Sequence, residues 1–146
     1  ASTTDDSDFT WDKYEASYNE LANDLGNLVQ RLATLCKKNE IAGRKVTHRD
    51  EPEFDAKMDI YEFNFAFDLL WKQIGDLNKR IDAEKPWALA KTNPEQAKEV
   101  LESLVDELLT INERLAIFIP STAEQIASVF TADAIQPPAT PLFPKN

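Results

Sequence analysis

The sequence predicts an all-α fold: an antiparallel helix bundle of three long helices, one or two short ones, and an extended Pro-rich C-terminal tail. Apolar residues recur at alternating intervals of three and four over three long stretches, the period of a helix that buries one stripe. No period-two run long enough to pair as a strand interrupts them. Only 3 of the 146 residues are glycine, where average usage near 7% would give about ten, so a many-turned β fold and Gly-rich phosphate loops are both disfavoured.

The first helix is expected over about 10–39. Trp11, Tyr14, Tyr18, Leu21, Leu25, Leu28, Leu32 and Leu35 make its stripe. Thr10 stands where an N-cap belongs, Asp12 follows in the first turn, and Lys37 and Lys38 suit the negative pole at the far end. Ile41 to Pro52 is polar and aperiodic, holds Gly43, and reads as a loop. A second helix over about 54–84 carries Phe63, Phe67, Leu70, Ile74, Leu77 and Ile81. Pro86 ends it, because the residue before a proline is pushed out of the α region. Tyr61, Phe65 and Trp71 widen its apolar surface beyond one stripe, which predicts a central place with more than one neighbour.

Asn93, Pro94 and Gln96 are a start signal, with an asparagine cap and proline at the first helical position. The stripe Ala97, Leu101, Leu104, Leu108, Ile111, Leu115 and Phe118 then places a third helix over about 94–118. Pro120 stops it, and Ser121 with Glu124 forms a capping box for a short helix to about Phe130. QPPATPLFPKN, with four of the eight prolines, reads as an extended tail. One domain is expected at this length and 42% hydrophobic content. Its parts are an acidic lead-in at 1–9, a helical domain at 10–131 and a tail at 132–146.

Cys36 has no cysteine partner, and with the lone His48 it falls short of a zinc ligand set. No apolar run approaches a membrane span, and the N-terminus lacks a basic and apolar signal, so a cytoplasmic protein is expected. The only methionine is Met58, so a processed terminus or a piece of a larger protein is expected. The formal charge of -10 argues against polyanionic partners, but it is unevenly spread. Residues 1–24 hold seven acids and one lysine, net -6, whereas 31–49 hold Arg31, Lys37, Lys38, Arg44, Lys45 and Arg49 against Glu40, net +5. Over a Debye length of roughly 8 Å, a ligand at the basic stretch would feel its near neighbours more than the distant acids.

The carboxylates fall mostly on polar helix faces, not in apolar pockets that would raise a pKa, and a nucleophile would need a histidine or lysine partner, for which only Cys36 beside Lys37 and Lys38 is a candidate, so catalysis is not supported. Cys36 beside the leucine stripe reads as a small core residue. Two strings are more informative. In LGNLVQR, Asn27 and Arg31 are four apart on a face other than the leucine stripe and can reach one target; guanidinium and amide together can read the edge of an unpaired base. The same pair could instead cap a neighbouring loop. In KPWALAK, Pro86 fixes the backbone and Trp87 offers an aromatic face between Lys85 and Lys91, suited either to stacking on a splayed base or to plugging the bundle end.

NELANDLGNLVQR, LWKQIGDLNKRIDAEKPWALAK, FIPSTAEQI and PLFPK, in that order, resemble the C-terminal region of methionyl-tRNA synthetases over about Phe9 to Lys145. The resemblance implies the α-helical anticodon-binding domain of that class I enzyme, detached from its catalytic domain. It further implies that Asn27 and Arg31 bond the cytosine of a CAU anticodon while Trp87, presented by Pro86, stacks on a splayed base. Lys37, Lys38, Arg44, Lys45, Arg49, Lys85 and Lys91 are then candidates for the RNA backbone. Gln30 stands where the family commonly has asparagine, and Ile117 where it often has proline. The HIGH and KMSKS signatures are absent, so no cofactor is expected in this chain, ATP belonging to the parent enzyme. The implied partners are methionine tRNA and the parent's catalytic domain, with neither DNA nor a membrane. The alternative is a synthetase-derived helical bundle that serves as a structural or protein-interaction module without binding RNA. That alternative expects Asn27 and Arg31 to be tied up in intramolecular contacts.

Overall fold

The computed structural model describes residues 11–46 and 48–138, with backbone alone at 11–19 and 21. Among the described residues there are six helices and no strands: α1 (Trp11–Lys38), α2 (Pro52–Asp59), α3 (Phe63–Glu84), α4 (Pro86–Thr92), α5 (Pro94–Phe118) and α6 (Pro120–Thr131). The Thr10 cap, the lead-in and the end of the tail lie outside the described residues.

The expected stripes supply most of the core; Phe63 is the exception, left exposed at the start of α3, and the side chains of Trp11, Tyr14, Tyr18 and Leu21 lie outside the described ones. Leu25, Leu28, Leu32 and Leu35 of α1 meet Leu70, Ile74, Leu77 and Ile81 of α3 and Leu101, Leu104, Leu108 and Leu115 of α5. Each fully buried aliphatic side chain contributes about 1.5–3 kcal/mol relative to exposure. Cys36 is buried here, and burial, then Glu102, pushes its thiol up to about 12.

Helix directions follow from cross-helix pairs. Asp24 meets Trp71 and Arg31 meets Asp82, so α1 and α3 run parallel. Arg80 meets Glu107 and Phe67 meets Phe118, so α3 and α5 run antiparallel. The three long helices are therefore not successive antiparallel neighbours. The chain leaves α1 at one end, returns along α5 as a long crossover, and starts α2 at the other end.

Three further expectations are corrected. Residues 54–84 are two helices, because Tyr61 adopts φ 60 and closes α2: the Tyr61 N–H donates to the Met58 carbonyl and the Glu62 N–H to the Lys57 carbonyl. α3 does pack on more than one neighbour, α1, α2 and α5, but Tyr61 and Phe65 stay exposed and the helix with the most partners is α5, which packs on α1, α3, α4 and α6. Last, α6 begins one residue before the expected box. Pro120 takes its first position, Ser121 falls inside the first turn, and the cap residue Ile119 makes no side-chain cap bond. By contrast, Asn93 caps α5 as expected, its side chain accepting from the Gln96 N–H at 3.2 Å.

The crossover is held along its length. The Ile41 N–H donates to the Cys36 carbonyl at 2.9 Å, with Glu40 at φ 55 completing the same kind of turn that closes α2. At Gly43 the backbone runs so close to the end of α6 that an added Cβ would lie 2.0 Å from the Ala132 carbonyl oxygen. The Arg44 N–H donates to the Phe130 carbonyl at 2.8 Å, and the Ile135 N–H donates to Ile41 at 3.2 Å, which docks the buried Ile135 at the start of the tail.

Candidate nucleic-acid interface

The polar face of α1 and the start of α4 enclose an open cleft of about 660 Å³, lined by Asn27, Gln30, Arg31, Thr34, Leu35 and Trp87. The break between α3 and α4 makes it. Lys85 adopts φ 46 and donates its N–H to the Ile81 carbonyl, ending α3. Pro86 then starts α4 and is itself buried, while α4 packs on α5. A pinned proline followed by a helical turn leaves the next residue little freedom, and Trp87 stands 41% exposed. Its indole is neither sealed in the interior nor turned away from α1.

Arg31 joins the two walls. Its guanidinium carbon lies 5.4 Å from the centre of the Trp87 ring, and Asp82 of α3 accepts from its Nη2. A carboxylate on one side and an aromatic face on the other hold the planar group in one orientation. Asn27, one turn earlier, is exposed and, among the described residues, has no hydrogen-bond partner for its side chain. The structure thus brings together Asn27, Arg31, Pro86 and Trp87. Sequence reasoning missed Thr34 as part of the lining, treated Gln30 only as a departure from a pattern, and passed over Asp82. The helical spacing of Asn27, Gln30 and Thr34 was a usable signal; nothing local marks Asp82 as the partner of a residue on another helix.

The basic stretch divides. Lys37 and Lys38 are exposed at the end of α1, and Lys38 lies seven residues, close to two turns, beyond Arg31 on the same face. Lys45, Lys85 and Lys91 are exposed as well. Arg44, expected to face RNA, is committed to α5: its Nε and Nη2 donate to Asp106 at 2.9 and 3.0 Å, and Nη1 lies 3.5 Å from Glu102. Bidentate pairing with a carboxylate is the strong geometry for a guanidinium, and Asp106 raises the Arg44 pKa further. Arg49 lines a separate groove of about 360 Å³ with Arg80 and Glu107, and its carbonyl accepts from the buried Arg114, whose guanidinium also lies over Phe54 at 5.9 Å. Neither Arg44 nor Arg49 lines the cleft.

Among the described residues no group of three or more histidine, cysteine, aspartate and glutamate side chains is arranged to hold a metal ion, and no helix is long and apolar enough to cross a membrane. His48 bonds Glu113 at 2.7 Å and Asp50 at 3.3 Å, and Glu113 above all raises its pKa. Two carboxylates around one exposed imidazole favour its charged form and form a surface hydrogen-bonded cluster.

Comparison with known proteins gives consistent relatives. The chain is 30% identical to a methionine–tRNA ligase of Corynebacterium glutamicum over 89% of its own length and 24% of the relative's. It is 31% identical to that of Cutibacterium acnes, over 89% and 24%. For Bifidobacterium animalis the figures are 33%, 83% and 22%. The chain therefore spans about a quarter of the length of the proteins it matches. No family model matches it, and no solved structure does.

Proposed function

We propose, from the premise that this chain belongs to the methionine–tRNA ligase family and corresponds to about a quarter of such a protein, that it is the C-terminal anticodon-reading domain of a ligase. Residues 10–131 form the reader and 132–146 a tail attached to it. The observation that carries this reading is the convergence of Asn27, Arg31 and a 41% exposed Trp87 on one cleft. A base splayed from a single-stranded loop stacks on the indole, an interaction worth about 1–3 kcal/mol. Arg31, already oriented by Asp82, donates to the cytosine carbonyl and ring nitrogen. The Asn27 amide matches the exocyclic amine with its oxygen. Uracil reverses donor and acceptor at one edge and leaves a polar group unpaired, at a cost of about 1–3 kcal/mol.

Lys37, Lys38, Lys45, Arg49, Lys85 and Lys91 are the exposed candidate cations for RNA phosphates, Lys38 being in line with the cleft and Arg49 set apart in its own groove. Methionine activation and ATP binding fall to the rest of the parent enzyme, which together with methionine tRNA is the partner of this domain. A cytoplasmic location follows from that role.

Titration with RNA hairpins carrying CAU or UAU in the loop tests the proposal. Binding is expected to favour CAU by about tenfold, and Trp87→Ala is expected to abolish most of it. Equal binding of the two hairpins, insensitive to Trp87→Ala, refutes it. The Arg31–Asp82 pair favours a second reading, a bundle that ties its arginine up internally and no longer binds RNA. That reading expects no binding of either hairpin even at low salt.

A further inference from the structure

We propose that Gln30 is a second base-reading amide, contacting the nucleotide next to the one stacked on Trp87 and selecting adenine there. The inference rests on the anticodon reading above and deepens it. Gln30 lines the cleft with Asn27, Arg31, Thr34 and Trp87, about 100° around α1 from Arg31, three residues after Asn27 and four before Thr34. Side chains three and four apart on a helix are surface neighbours. A strand whose cytosine lies between Trp87 and Asn27 therefore places an adjacent base over Gln30.

The side chain is equipped for that contact. Gln30 is exposed and, among the described residues, its amide has no partner; only its backbone carbonyl is used, accepting from the Thr34 hydroxyl at 2.7 Å. That bond turns the Thr34 hydrogen toward the helix and leaves its oxygen lone pairs open to the cleft. A glutamine amide offers a donor and an acceptor in one plane, the complement of the adenine N7 acceptor and N6 amine. Guanine keeps N7 but replaces the amine with a carbonyl, so it sets acceptor against acceptor. The cleft is open and about 660 Å³ in volume, leaving room for more than a single base.

The test adds a CGU hairpin to the CAU and UAU pair and compares the 146-residue chain with Gln30→Met, which keeps side-chain length and removes the amide. The unsubstituted chain is expected to prefer CAU over CGU by about tenfold. In Gln30→Met that preference should fall to within about twofold, while the CAU over UAU preference and the melting temperature stay unchanged. If the CAU over CGU preference is absent, or survives Gln30→Met, the role of Gln30 is overturned and the anticodon reading stands. If CAU is not preferred over UAU either, the anticodon reading fails and this inference with it.

Discussion

At the α1–α4 cleft, Arg31 lies along an indole that is 41% exposed and shares its charge with one surface aspartate. On the far side of α1's neighbours, Arg44 of the crossover grips Asp106 and Glu102, and the buried Arg114 of α5 caps the carbonyls of Thr110 and Arg49 while covering Phe54. One residue type does two jobs. In the cleft the cation is left where an incoming group can add to its bonds. Along the crossover the cations fasten a segment with no helix of its own to α5. The difference teaches that positive charge counted along a sequence is not all free positive surface: of the six basic residues in 31–49, Arg44 spends its guanidinium on that fastening, and Arg49, whose side chain is exposed, lines a different groove.

The comparison breaks most readily at Arg114. Arg114→Met keeps much of the volume but removes the side-chain donor of the Arg49 carbonyl, a second donor to the helical Thr110 carbonyl, and the cation over Phe54, at a cost of about 3 kcal/mol. Thermal unfolding should fall by roughly 10 °C for a domain of this size. Below the new melting point, the ratio of CAU to UAU hairpin binding should be unchanged. A shifted ratio would mean that the two regions are coupled. Gly43→Ala is the next largest. The atoms an added Cβ would meet, at 2.0 to 2.6 Å, all belong to the backbone of Thr131 and Ala132, so neither side can yield by a rotamer change. Forced displacement costs about 2 kcal/mol, read by urea denaturation as a lower midpoint at an unchanged slope. Wild-type stability in Gly43→Ala would show that the crossover and the end of α6 separate easily.

What could be read in advance, and what could not, follows from the range of the interactions. The stripes of α1, α3 and α5 are local periodicities, and the spacing names most of their large buried aliphatics, though it misses Val29, Val105, Leu109 and the buried Arg114 and includes the exposed Phe63. Pro86, Asn93 and Pro94 mark boundaries because their effects act within one turn. The break at Tyr61 was not legible: the left-handed positions are held by Glu40, Tyr61 and Lys85, none of them the glycine that ordinarily signals such a turn. Nor was the parallel course of α1 and α3, which depends on where the crossover is fastened. In the cleft, Asn27 and Arg31 could be paired by helical spacing. Bringing Trp87 against them needed the kink at Lys85, and Asp82 needed the packing of α3 beside α1.

Arg44 gives the smallest effect and the sharpest separation of the two regions. Its guanidinium is about a third exposed, so the bonds to Asp106 and Glu102 are partly screened by water, and Arg44→Gln should cost about 1 kcal/mol at most. That loss should shrink as salt is raised, because the attraction removed is itself screened. A guanidinium engaged with two carboxylates is not available to phosphate, so hairpin affinity should be unchanged. The dependence of log affinity on log salt should also keep its slope. Lys38→Gln is the counterpart on the face of α1 that carries Asn27 and Arg31, and it should weaken all hairpins alike and reduce the slope by about 1. If Arg44→Gln reduces the slope as Lys38→Gln does, the ion pair opens to receive RNA, and the crossover belongs to the binding surface after all.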